Sequence, residues 1–251
     1  MFIGDLGFSQ RFDGDTMRGE IEITDELRVR GTELVRSSVL ATLADVVTGV
    51  PATRHTHPRF ALTLDLTVQG LAAAHGDRLE MVGRVLKAGA SIVATEASFT
   101  EPGSGQLVAY SYVTFVRAPR PQDVSPVLST EPRHFGPNNF TRPFAEQLGA
   151  KVLSPGVVHM ERDPYVQQPT GTIQGGAVAL MGELAAESLL GAPVVDLDVR
   201  YLSAVRVGPA RTSAVALDAS TARVEIRDAG NDDRLATLVI GRTAAGHDLA
   251  R

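Results

Sequence analysis

Two stretches of the chain carry the same arrangement of apolar and polar positions. Ser37-Ser38-Val39-Leu40-Ala41-Thr42-Leu43-Ala44-Asp45 is echoed by Gly175-Gly176-Ala177-Val178-Ala179-Leu180-Met181-Gly182-Glu183. The offset, 175 − 37 or 183 − 45, is 138 in both cases. Each copy reads as an apolar helix with one carboxylate at the same step, and burying a carboxylate is costly unless it has a partner. Meeting that cost twice in register marks a site, and an internal repeat of this kind decides the fold.

Around the repeat the pattern alternates. Met17 to Thr24 reads as a first strand. The helix covers Ser37 to Val50, ended by Gly49 and Pro51, and a polar turn follows at His55 to Arg59. Three β-rich runs come next: Phe60–Gln69, Arg78–Lys87 and Ser91–Arg117, the last split into a hairpin at Pro102-Gly103-Ser104-Gly105. The proline-rich stretch 119–142 reads as a linker between a unit at 1–118 and a unit at 143–251. The second unit opens with a short amphipathic stretch, Pro143 to Gly149, and a strand-like segment, Ala150–Tyr165. A loop at Gln167–Gln174 leads to the helix Gly175–Leu190 and then to four strands: Val194–Leu202, Ala210–Leu217, Ala222–Arg227 and Arg234–Arg242. The expectation is an α+β protein of two β-α-β-β-β-β units, each wrapping an antiparallel sheet on one helix.

Composition narrows the function. The 251 residues, 43% hydrophobic and 21% charged, have the balance of globular domains. A net charge of −5 and a pI near 5.7 argue against general binding to nucleic acid or to anionic membranes. The absence of cysteine excludes disulfides, thiolate metal sites and a cysteine nucleophile. No signal-peptide pattern opens Met1-Phe2-Ile3-Gly4-Asp5 and no apolar run is long enough to span a bilayer, so the expected location is cytoplasmic. His55-Thr56-His57 sits beside Pro51 and Pro58 with no acidic cluster, a polar loop and not a metal site. Ser37 and Ser38 lack the G-x-S-x-G context of a hydrolase nucleophile.

The run Gln168-Pro169-Thr170-Gly171-Thr172-Ile173-Gln174-Gly175-Gly176, followed by Glu183 and by Asp196 to Leu202, resembles the PaaI-type acyl-CoA thioesterases of the hotdog superfamily. The resemblance covers most of 144–220 and, more loosely, 30–118. It departs at Gln174, where the family often has His, and at Arg30 and Ser37-Ser38, which stand for the amide residue and the glycine pair. It implies a tandem double hotdog that hydrolyses acyl-CoA without metal or cofactor, assembled into homo-oligomers.

The chemistry needs a donor for the thioester carbonyl and a carboxylate. A helix N-terminus opened by Gly175 and Gly176 offers free N–H groups and a favourable dipole. Glu183 lies eight residues beyond Gly175, about 12 Å along the axis at the helical rise. One helix cannot bring both to a single carbon, whereas two antiparallel helices can. Two unequal sites follow. The first combines Gln168, Gly175 and Gly176 with Asp45 and is the expected catalytic site. The second combines Arg30, Ser37 and Ser38 with Glu183, and an alternative makes Glu183 catalytic with Arg30 as a contact for a CoA phosphate or acyl carboxylate. Gln174 is a further substrate-binding candidate. The rival functions are a non-catalytic acyl-CoA-binding protein and a hotdog hydratase or dehydratase; the latter usually brings a catalytic His, and no His stands near either helix start.

Overall fold

A computed structural model of the chain describes residues 1–121 and 131–244. Its strands form one antiparallel sheet with the order β7-β1-β2-β4-β5-β6-β3-β10-β13-β12-β11-β9-β8. In the first half these are β1 (Phe8–Asp13), β2 (Thr16–Glu22), β3 (Ala61–Gly70), β4 (Arg78–Ala88), β5 (Ile92–Thr100) and β6 (Leu107–Arg117). The second half has β8 (Lys151–Ser154), β9 (Val157–Met160), β10 (Val194–Tyr201), β11 (Ala210–Ala216), β12 (Thr221–Asp228) and β13 (Arg234–Thr243). β7 (Arg133–His134), from the proline-rich stretch, pairs with β1; residues 122–130 of that stretch lie outside the described residues. Two long helices, α2 (Ser37–Thr56) and α4 (Gly175–Leu190), lie against the sheet, with short helices α1 (Phe2–Asp5) and α3 (Phe144–Gln147) ahead of each half.

The single strand expected ahead of each helix is a two-strand hairpin in both halves. In the first, Gly14 takes a positive φ of 61° to turn β1 into β2, and the polar Gln10 between buried Phe8 and half-buried Phe12 hides the alternation of β1. In the second, the turn at Pro155-Gly156 breaks what reads as one run into β8 and β9, with Gly156 at φ 77°. Helix α2 also passes Pro51 and ends at Thr56, so His55 and Thr56 belong to its last turn. Proline removes one helical N–H, the partner of the Val47 carbonyl. That carbonyl lies so close to Gly83 of β4 that a Cβ there would sit 2.5 Å from it.

The halves join where β3 pairs antiparallel with β10, Leu66 opposite Val199 and Val68 opposite Leu197. Those four side chains are buried, so the seam is apolar on the helix side of the sheet. A second tie packs Phe2 of α1 edge-on to Phe144 of α3, at 5.9 Å between ring centroids, while the Tyr165 hydroxyl donates to Asp5 at 2.8 Å. The start of α4 is braced from below. The buried Asp228 carboxylate accepts from the N–H groups of Arg206, Val207 and Gly208, and the adjacent Val205 carbonyl accepts from Ile173 N–H. Burial pushes the Asp228 carboxyl up, but the backbone donors outweigh it and hold it below the usual range.

Candidate active site

Helices α2 and α4 pack against each other with the start of each beside the middle of the other. This is the antiparallel arrangement that the 12 Å separation requires. The pairings Ser37-Ser38 with Glu183, and Gly175-Gly176 with Asp45, therefore both exist as places. They are chemically unlike.

The Glu183 place is sealed. Its side chain is fully buried and accepts from Ser37 N–H at 2.9 Å, from Ser38 N–H at 3.4 Å and from the Ser38 hydroxyl. An Arg36 guanidinium nitrogen lies 3.5 Å from Glu183 and 3.1 Å from Glu187. Burial alone disfavours the Arg36 charge, but the two carboxylates outweigh it and hold the cation firmly protonated; burial, then Glu183, raises the Glu187 carboxyl. The Ser37 hydroxyl donates to the carbonyls of Val194 and Val195. The carboxylate thus occupies the N–H groups that a substrate carbonyl needs.

The cation here is Arg36, not Arg30. Arg30 is exposed in a turn, on the rim of a cleft of about 550 Å³ between residues 25–36 and Pro143 and Glu146. Arg36 was legible in one respect: it is the N-cap of α2, where a positive charge opposes the helix dipole and needs nearby acid.

The Asp45 place is open. Asp45 is half-buried, and its Oδ1 accepts from the Thr63 hydroxyl. Thr63 stands at a bulge in the β3–β6 register, between Thr63 and Asp65, a device that re-aims a side chain. Burial raises the Asp45 carboxyl to about 6 against the opposing Thr63 bond. The start of α4 packs against Thr42, one turn before Asp45 on α2. Tyr201, at the end of β10, donates its hydroxyl to the Gly175 carbonyl at 3.0 Å. Burial, then the Asp45 charge, raises the Tyr201 phenol well above its usual range, so it stays a donor. Among the described residues the Gly175 N–H has no hydrogen-bond partner, whereas its counterpart, Ser37 N–H, is taken by Glu183. An aspartate is one methylene shorter than a glutamate. That difference, at the same step of two repeated helices, separates a sealed helix start from an open one.

Three expectations change. Gln174 is the N-cap of α4: its side-chain oxygen accepts from Gly176 N–H at 2.5 Å and Ala177 N–H at 3.3 Å, so it is a structural cap here and not a free substrate contact. Gly176 N–H is therefore occupied, leaving Gly175 as the free donor of the pair. Gly176 is required by packing, because a Cβ there would lie 1.9 Å from Thr42 Oγ1. Gln168 is tied into its own turn, its side-chain amide nitrogen donating to the Thr172 hydroxyl and its main-chain carbonyl accepting from Gly171 N–H. The residues left without a role by the sequence are Arg36, Thr42, Thr63 and Tyr201.

The Gly176 contact gives a test. Gly176→Ala lowers stability by about 1–3 kcal/mol through overpacking, and Thr42→Ala, which removes the nearest obstructing atom but keeps a Cβ 2.8 Å from the new methyl, restores part of it. Denaturant melts of the two single variants and the double variant measure this; additive losses would refute the contact.

Among the described residues no group of three or more His, Asp or Glu side chains is placed to hold a metal, and no helix is long and apolar enough to cross a membrane.

No family model matches the chain, and no curated protein matches it. Solved structures do. An acyl-ACP thioesterase from Bacteroides thetaiotaomicron superposes with a TM-score of 0.64 at 10% identity, over 91% of this chain and 97% of that one. A 12:0-ACP thioesterase from Umbellularia californica gives 0.64 at 8% identity, over 92% and 98%. A protein of unknown function with a hot dog fold from Alicyclobacillus acidocaldarius gives 0.55 at 14% identity, over 92% and 93%. The fold is thus a double hotdog that takes up more than nine-tenths of the chain.

Proposed function

We propose that this chain is a thioester hydrolase with one working site, built from Asp45 and Thr63 of the first unit and Gly175 of the second. The observation that carries this reading is the unoccupied Gly175 N–H at a helix start facing a half-buried carboxylate, where the repeated partner site is filled by Glu183. The likeness to thioesterases of the same double-unit architecture supports it.

The step follows from the groups present. Asp45 takes a proton from water as its oxygen attacks the thioester carbon. The carbonyl oxygen gains negative charge and is held by Gly175 N–H and the α4 dipole. The C–S bond then breaks, the sulfur leaves as thiolate, and the proton on Asp45 passes to it. The acid product keeps the new oxygen. Thr63 fixes one carboxylate oxygen, leaving the other for water. A carboxyl near 6 suits a base working around neutral pH.

The substrate class is an acyl thioester of coenzyme A. A thiol-release assay over acyl-CoA esters of graded chain length, with acyl-carrier-protein esters alongside, tests it. Turnover of CoA esters is expected, with kcat/KM rising with pH through about 6 as Asp45 ionises. Turnover of carrier-protein esters alone would move the substrate class. Tight binding of acyl-CoA without thiol release would make the chain a binder.

A further inference from the structure

The peptide unit between Gly175 and Gly176 is gripped at both of its polar atoms. Its carbonyl accepts from the Tyr201 hydroxyl at 3.0 Å, and its N–H donates to the Gln174 side chain. Thr42 Oγ1 fills the space that a Cβ on Gly176 would need. We propose that Tyr201 and Gln174 form a clamp on this peptide and are positioning residues for the Gly175 N–H that holds the substrate carbonyl; the inference rests on the thioesterase reading above.

A glycine pair has no Cβ to limit rotation of the peptides on either side, so an unrestrained Gly-Gly start samples several N–H directions. Catalysis by a backbone donor needs the direction fixed beforehand. Gln174 meets this need by spanning Gly175: its main chain precedes Gly175 and its side chain holds the N–H that follows. Tyr201 acts from a different layer. It stands on β10 opposite Thr237 of β13, in the strand that forms the seam between the units. Gln174 is almost fully buried at 4% exposure, so its cap is shielded from competing water. The first unit does without a clamp, because Glu183 binds both serine N–H groups directly. The clamp is what an open site needs and a sealed one does not.

The test is Tyr201→Phe, which removes one hydroxyl and keeps the ring, with Gln174→Ala as an independent variant. Two readouts are taken: amide hydrogen exchange at Gly176 and Ala177, and kcat separately from KM. The expected result is exchange faster by about tenfold or more, kcat lower by about tenfold or more, and KM within about threefold of wild type. Tyr201→Phe is expected to keep its Tm within about 5 °C of wild type. Unchanged exchange, or faster exchange with unchanged kcat, overturns the clamp. Asp45→Asn, run in parallel, separates the two claims. If it keeps wild-type turnover, Asp45 is not the base and the working site proposed above fails, whereas absence of thiol release by the wild-type chain removes the thioesterase reading; exchange still decides the clamp in both cases. If it is inactive and the Tyr201 variant behaves as wild type, only the clamp fails.

Discussion

Asp45→Asn lowers kcat/KM for acyl thioesters by about a hundredfold or more and at the same time raises the melting temperature at neutral pH. The first effect follows from losing the base; the amide cannot accept the proton of water. The second follows from linkage. The native carboxyl ionises at about 6 against an ordinary value of 3.8, so between those values the folded state holds a proton that the unfolded state has released. The stability this proton brings is full below 3.8 and is lost as pH rises through 6. Asparagine removes the buried charge, so the gain in Tm appears near pH 7.5 and is absent near pH 3. Calorimetry at the two pH values, alongside thiol release, measures both effects. An asparagine variant that keeps wild-type turnover, or one less stable at neutral pH, contradicts the role given to Asp45. A site whose removal stabilises the fold is the ordinary trade between activity and stability.

Glu183→Ala has the opposite signature. It strips the acceptor from two serine N–H groups and the Ser38 hydroxyl, and leaves Arg36 with Glu187 alone. Breaking a buried ion pair by removing one partner costs about 3–5 kcal/mol, which for a chain of this size lowers Tm by roughly 10 °C. The more conservative Glu183→Gln keeps an acceptor and loses only the charge, so its melting point falls less. Turnover by the folded Glu183→Gln protein, measured below its transition, stays within about threefold of wild type, because the Asp45 site is intact; the hundredfold scale of base removal makes the contrast readable. If Glu183→Gln abolishes turnover while Asp45→Asn does not, the assignments of the two carboxylates exchange.

The two helices show what could be read from the chain. The repeated carboxylate, its register and the need for antiparallel helices all came from spacing, because helical rise is fixed and a buried charge demands a reason. The inequality of the sites was visible as Ser37-Ser38 against Gly175-Gly176. Its consequence was not, because it turns on one methylene between Asp45 and Glu183 and on where the carboxylates end. Arg36 finds Glu183 and Glu187 across well over a hundred residues of chain, and no local pattern announces such a pairing. Thr63 reaches Asp45 only because a bulge turns it inward, and a bulge breaks the alternation by which strands are read. Gln174 looked like a residue for the substrate because the family's His stands there. The buried helix start claims its side chain first, since orphaned N–H groups must be satisfied. The missed strand β1, and β8, which reads as one run with β9, are short and carry polar or wholly exposed residues, so their pattern is weak.

The most direct test of the central claim is a crystal structure of the chain with a non-hydrolysable acyl-CoA analogue in which the carbonyl is retained and the sulfur replaced by methylene. The expected structure has the analogue carbonyl within hydrogen-bond distance, about 3 Å, of Gly175 N–H, its carbon facing Asp45, and Glu183 still bound to Ser37 and Ser38. An analogue seated on Ser37 and Ser38 with Glu183 displaced would contradict it.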